Sequence, residues 1–442
     1  MTTEITRSGG EDIGPFRTEQ VKRRASGAKR LRRMLGPGLV TGASDDDPSG
    51  IGTYSQVGAQ FGYGLLWTML ISYPLMAAIQ EISARIGRVT GCGIAANLRK
   101  SYPKPLLYAV LVAVAVANIF NLGADLGAMG DAMHLLVPGK VSVFVVGFGA
   151  ASLISILFVP YSTYVQYLKW LTLSLFAYVG VTLFVHVSWG NVARATLIPH
   201  VQLTKESLTA LAAVLGTTIS PYLFFWQASQ EVEEVRNNRG EKALKRAPAQ
   251  AETQLGRIRL DTYLGMALSN LVAFFIILTA ASTLYAHGIR QISTSAEAAT
   301  ALKPLAGRFA FALFACGIVG TGLLAVPVLA ASAAYGIGEA GRWKVSLERT
   351  PKQAAPFYAV ICTATILGLS LNFLHIDPVK ALFWAAVVNG LVSAPLMAVI
   401  MTIASSQKVM GKFVIGPYLR SVGWIATAVM SCVGAGVFLT WR

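Results

Sequence analysis

The chain has 442 residues, 54% of them hydrophobic and only 13% charged, with a mean hydropathy of +0.56. That balance excludes a soluble globule and defines an all-α polytopic membrane protein embedded in a lipid bilayer. The net charge of +16 would point to nucleic acid in a soluble chain. In a membrane protein it follows from the gathering of Lys and Arg in cytoplasmic loops, so no nucleic-acid partner is expected. The four cysteines (Cys92, Cys316, Cys362, Cys432) are scattered, and no CxxC spacing marks a metal or redox motif.

Residues 1–33 are polar and basic and lack the early apolar core of a signal peptide. They read as a disordered basic cytoplasmic tail ahead of a transmembrane domain over 34–442. Hydropathy then gives about eleven spans, near 36–59, 63–86, 105–135, 141–160, 163–188, 207–235, 258–286, 306–335, 355–374, 377–404 and 419–440. Most of the 37 lysines and arginines fall on the side that holds the tail. The expectation is a plasma (inner) membrane protein with its N-terminus in the cytoplasm and its C-terminus outside. The charged connection after span six, VEEVRNNRGEKALKRAPAQAETQLGR, reads as a solvated face.

The first span is interrupted. Its middle reads Asp45-Asp46-Asp47-Pro48-Ser49-Gly50. A carboxylate in hydrocarbon is tolerated only where it faces protein, water or an ion. Pro and Gly beside it free backbone groups that lipid cannot satisfy. The sixth span is interrupted at the corresponding place by Ser220-Pro221, after Gly216, Thr217 and Thr218. Helix breaks at Pro48 and Pro221, five spans apart, point to a five-plus-five inverted repeat with a binding site at mid-membrane. The repeats are expected at about 34–190 and 205–404, with an extra helix at 419–440.

From GPGLV through DPSG and FGYGLLWTMLISYPLMAAIQEISARIGRVTG to NLGADLGAMGDA, the chain resembles the Nramp family of proton-coupled divalent metal transporters. The resemblance implies a LeuT-type fold with helices 1 and 6 broken and a divalent metal as transported substrate. No cofactor and no enzymatic activity are expected, and the protein is expected to be a monomer. The family carries Asp-Pro-Gly-Asn at the first break. Here Asp47 keeps the metal-binding acid and Gly50 replaces the Asn ligand. At the second break Ser220-Pro221-Tyr222 replaces Met-Pro-His, and a further family histidine appears as Gln227. Losing the soft thioether removes a preference for later transition metals, and an all-oxygen set suits Mn²⁺ or Mg²⁺.

Asp47 is the expected principal ligand, with Asp46, Asp45, Ser220 and Gly50 around it. Asp125 matches a family acid on the proton route, where a second family acid is Ala128 here, and Asp131 lies nearby in another register. Proton coupling is left open. Tyr54, Gln56, Tyr222, Gln227 and Asn389 are candidates for supporting hydrogen bonds. Gly123, Gly127 and Gly130 are expected to permit close helix packing, and Glu81 and Arg85 to form a local ion pair. An alternative keeps the fold but moves a small organic solute, such as an amino acid or amine, against a wall of Tyr54, Tyr222, Phe224, Phe225 and Trp226. A membrane aspartyl protease is disfavoured because no GxGD motif occurs.

Overall fold

The structure, a computed structural model, describes residues 37–159, 171–238, 240–374 and 376–440. The described chain is helical. Its main elements are α1 (Pro37–Asp45), α2 (Pro48–Phe61), α3 (Trp67–Thr90), α4 (Lys104–His134), α5 (Val141–Phe158), α6 (Lys205–Thr218), α7 (Pro221–Asn237), α8 (Ala251–Thr283), α9 (Ala310–Ala340), α10 (Ala355–Leu371), α11 (Pro378–Ser405) and α12 (Pro417–Thr440). Among the described residues, eight helices or in-line helix pairs are long and apolar enough to cross a membrane. The number is nine if α2 and α3, bent by 108° at their junction, count as one span. The basic tail at 1–33 and the first part of the expected fifth span, 163–170, lie outside the described residues; the rest of that span includes 3-10 helix over Leu171–Leu175 and α-helix over Phe176–Val181.

Local chemistry explains where the helices begin and end. Pro48 and Pro221 each occupy the first turn of the helix they open, where the missing N–H has no partner to lose. Asp47 caps α2 by accepting from Gly50 N, and Thr204 caps α6 by accepting from Ser207 N. The sharp corner after α2 turns on Gly62, whose φ of +57° is open to glycine and strained for side chains.

The core is built by α1, α2, α3, α7 and α8 packing together, with α4, α9 and α11 against them. The most apolar window of the α6–α7 pair is wholly buried, whereas only 22% of the α5 window is. Val112, Val143, Ile366 and Phe438 stand exposed on the outer helices, as lipid-facing residues do. The polar interruption between α6 and α7 is thus enclosed by protein, the condition under which irregular backbone is tolerated at membrane depth.

Close approach of helices rests on small residues. A Cβ added at Gly123 would come within 2.6 Å of Gly368 O, one at Gly127 within 2.3 Å of Asn372 Oδ1, and one at Gly130 within 2.4 Å of Val145 Cγ2. These three glycines therefore do serve packing. The tightest such contact between a main helix and the α11 wall is at Gly216, where a Cβ would meet Ala386 O at 2.1 Å and Gly390 N at 2.4 Å.

The charged connection after α7 is solvent-exposed over most of its length, as expected, but is anchored at its middle. Leu244 N and Lys245 N donate to Arg88 O and Val89 O, and Leu244 is fully buried. Arg88 pairs with Glu241 from this connection and lies 3.7 Å from Glu231, which also holds Arg257 at 2.6 Å. Of the connection's charges, Glu241 reaches the buried Arg88 on α3, while Lys242, Lys245 and Arg246 stay exposed. The Glu81–Arg85 pair forms as expected, at 2.6 Å.

Gly216→Val should lower stability by about 1–3 kcal/mol through overpacking against α11. Gly190→Val, where no atom lies within 4 Å of the added Cβ, should change it much less. Thermal unfolding of the detergent-purified proteins measures the difference.

Candidate functional site

The two interruptions meet. Tyr222, in the first turn of α7, donates its hydroxyl to Ser44 O in the last turn of α1 at 2.8 Å. A Cβ at Gly50, near the start of α2, would lie 3.2 Å from Thr217 Oγ1, at the end of α6. Each gap therefore forms one wall of the other.

Asp47 lies between them, 2% exposed. Its Oδ1 accepts from Gly50 N at 2.7 Å. Its Oδ2 accepts from Asn121 Nδ2 on α4 at 3.0 Å and lies 3.4 Å from the Tyr222 hydroxyl. Asp125, one turn beyond Asn121 on α4, is fully buried. Its Oδ1 accepts from Ser49 N at 3.1 Å and its Oδ2 from the same Asn121 Nδ2 at 3.1 Å. Two carboxylates thus share the free N–H groups at the N-terminus of α2, where the helix dipole favours negative charge. Asn389 on α11 completes the row by donating Nδ2 to Asn121 Oδ1 at 2.8 Å.

Asp45 and Asp46 face the other way, toward α8. Ser269 Oγ lies 2.7 Å from Asp45 Oδ2 and 3.0 Å from Asp46 Oδ1, and one hydroxyl proton cannot satisfy both. Asp45 Oδ1 is buried without a partner. Ser220 turns its hydroxyl back to Thr217 O at 2.7 Å and Gly216 O at 3.1 Å, so its proton stays with its own helix end.

Gln227 accepts from Thr41, tying α7 to α1. Tyr54 is buried beside Gly50. Two candidates are placed elsewhere. Gln56 Oε1 accepts from Ile292 N at 2.8 Å and lines a cavity of about 220 Å³ with Gln60, Gln291 and Trp384. Asp131 Oδ2 accepts from Ser295 N at 3.1 Å, roughly 9 Å along α4 from Asp125 by helix rise.

Among the described residues, no group of three or more His, Cys, Asp or Glu has the arrangement of a metal centre. The site pairs two carboxylates with neutral oxygens, a set suited to a hard, partly hydrated cation. The aromatic wall proposed for an organic solute is packed shut. Phe224, Phe225 and Trp226 are at most 1% exposed, Trp226 edges onto Tyr335, and Phe225 presses on Gly336. Sequence reasoning missed two residues at the site. Asn121 carried a signal, an amide one helical turn before an intramembrane acid. Ser269 is a single hydroxyl in an apolar helix and carried none. Thr217, noted only as part of the second break, stands against Gly50 of the first.

The fold and site define a polytopic helical membrane protein with its polar residues gathered between interrupted helices. The family profile described as natural resistance-associated macrophage protein-like matches residues 38–440, and the chain belongs to this family. The divalent metal cation transporter MntH of Verminephrobacter eiseniae is 24% identical over 437 residues, covering 94% of this chain and 91% of the relative. The protein of the same name from Klebsiella pneumoniae is 25% identical over 420 residues, covering 94% and 95%. Among solved structures, the manganese transporter of Eremococcus coleocola superposes with a TM-score of 0.72 at 17% identity, covering 93% of this chain and 87% of that one. Mhp1, a nucleobase-cation-symport-1 family transporter, gives 0.56 at 13%, covering 92% and 91%. These last two likenesses concern the fold.

The N-terminal end of α1 is held by Gly38 N, which donates to the buried Asp261 Oδ2 on α8 at 2.7 Å. A hydrogen bond to a charged group contributes about 1.5–3 kcal/mol. Asp261→Ala should therefore speed amide hydrogen exchange at the start of α1 by roughly tenfold or more while leaving α4 unchanged, measured by mass spectrometry.

Proposed function

We propose that this protein is a secondary transporter that carries a divalent cation of the Mn²⁺ or Mg²⁺ class across the plasma membrane by alternating access. The observation that carries this reading is Asp47, buried at the start of α2 and facing donors from both α4 and α7. A carboxylate enclosed at a helix break is a place where a cation can exchange part of its water for protein oxygen. Membership of the family and the divalent metal transport named for its MntH relatives support the same reading.

In this proposal the chain has eleven spans in a LeuT-type five-plus-five repeat, over about 34–190 and 205–404, followed by the helix at 419–440. The N-terminus is cytoplasmic and the C-terminus outside. The first span is α1 with α2 and the sixth is α6 with α7, each broken at its proline. Asp47 is the principal ligand. Asp125 supplies a second carboxylate, and Asp46, Asp45, Ser220 and the backbone at Gly50 border the site. Tyr222 positions the end of α1 over it. Access alternates as α3, α7 and α8 move together, and α1 moves against them, relative to α4, α9 and α11. Release toward the inner side requires α1 to leave Asp261 and Gln227. The buried pairs of Arg88 and Arg257 with Glu231 bind α3, α7 and α8 into one body for that motion.

Uptake of Mn²⁺, Mg²⁺ and Ca²⁺ into proteoliposomes, read beside a proton-sensitive dye, tests the proposal. Asp47→Ala should abolish divalent uptake, and uptake equal to wild type would overturn it. The dye reports whether protons accompany the cation, and Asp125→Asn whether this acid carries them. Ser220→Met places a soft thioether at the second break and should shift preference toward Cd²⁺ and Mn²⁺ over Mg²⁺ by about tenfold or more in competition assays. An unchanged order would place Ser220 outside the cation's reach.

A further inference from the structure

The family's amide ligand is missing at Gly50, yet the site is not short of amides. Asn121 lies on α4 facing the two carboxylates, and Asn389 lies behind it on α11. Both are at most 1% exposed. Asn121 directs its NH₂ at Asp47 Oδ2 and Asp125 Oδ2 and its Oδ1 at Asn389 Nδ2. The row ends in a defect, because Asn389 Oδ1 is buried and accepts from no protein group. An orphaned buried acceptor costs about 1–3 kcal/mol and calls for an explanation.

We propose that Asn121 is a direct cation ligand in the loaded transporter, reached by a rotation of its amide that the Asn389 side chain accommodates. The inference rests on the divalent-cation reading above and deepens it. An asparagine amide is nearly the same shape in either orientation, so the rotation needs no repacking. A cation between Asp47 and Asp125 repels the NH₂ that now faces them. After rotation Asn121 Oδ1 meets the cation, and Asn121 Nδ2 points toward α11. Asn389 turns likewise and offers its Oδ1, the orphan, as acceptor.

The two carboxylates exchange one shared N–H donor for the cation itself. The hydrogen bond between the two amides is kept with its direction reversed. In exchange the Asn389 NH₂ moves to the position its Oδ1 held, so the unpartnered group passes from an acceptor to a donor on the α11 side, away from the cation. The neutral oxygen that Gly50 cannot provide comes from the opposite wall of the site. Because that wall is α4, a bound cation ties α1 and α2 to the helices against which they move.

Isothermal titration of purified wild type, Asp47→Ala, Asn121→Leu and Asn121→Asp with Mn²⁺ and Mg²⁺ tests the inference. Asn121→Leu should weaken binding by about tenfold or more. Asn121→Asp keeps an oxygen facing the cation and should bind within about threefold of wild type or tighter. A group that only donated hydrogen bonds to the carboxylates would give the opposite for Asn121→Asp, because a third acid without a donor would stand against Asp47 and Asp125. Wild-type affinity in Asn121→Leu, or an Asn121→Asp protein as weak as Asn121→Leu, overturns the inference. Loss of binding in Asp47→Ala with no effect at Asn121 overturns it while leaving the transport reading intact; wild type that binds neither ion overturns both. If Asn121→Leu is not monodisperse, Asn389→Leu replaces it. That variant removes the acceptor for the rotated amide and should weaken binding about fivefold or more, by the same supporting role, and unchanged affinity overturns the inference.

Discussion

A helix interrupted inside a membrane leaves N–H and C=O groups that lipid cannot satisfy, and the architecture around Asp47 follows from that constraint. The carbonyl of Ser44, at the end of α1, is taken by Tyr222. The N–H groups of Ser49 and Gly50, at the start of α2, go to Asp125 and Asp47. The carbonyl of Ile219, between α6 and α7, is taken by Ser393 on α11. Every one of these partners except Asp47 comes from another helix. Neither interruption could exist alone, and the polar groups that permit them gather around Asp47, the residue proposed above to hold the cation.

The same economy explains where the molecule places its other buried charges. Arg88, Glu231, Arg257 and Glu241 lie at the end of the bundle where α1 begins. A buried ion pair contributes little net stability, but removing one partner is strongly destabilising. The network therefore serves to keep α3, α7 and α8 in fixed relation. The contacts that hold the first turns of α1 are of a different kind and include an N–H on Asp261 and a hydroxyl on Gln227. They are single hydrogen bonds rather than paired charges.

The chemistry of the site is hard. It offers carboxylates, amides and hydroxyls, and among the described residues the hydrogen-bond partners of Asp47 are Gly50 N, the Asn121 amide and the Tyr222 hydroxyl, with no sulfur or imidazole. In such a set, discrimination among cations depends on size and on how much hydration each keeps, and less on ligand softness. The aromatic side chains that might have lined a pocket for a larger solute instead fill the space between α7 and α9. Their packing limits what the site can hold.

Much of this was written in the one-dimensional chain. Hydropathy determined that it is a bundle of membrane helices, because a run of about 20 apolar residues has few other places to go. The acids and prolines at 45–48 and 220–221 marked both interruptions, because charge and missing N–H groups are intolerable there without a reason. The motifs from Gly36 to Gly91 fixed the family. Tertiary structure alone decided which polar residues meet. Helix rotation turned Asp47 toward Asn121 while Asp45 and Asp46 faced Ser269 on α8. It sent Gln56 to a separate cavity and Asp131 to the Ser295 turn, and it anchored the solvated connection after α7 on Arg88. Those outcomes depend on the packing of helices distant in sequence, to which local composition is blind: Asn121 and Asn389 are 268 residues apart and share one hydrogen bond.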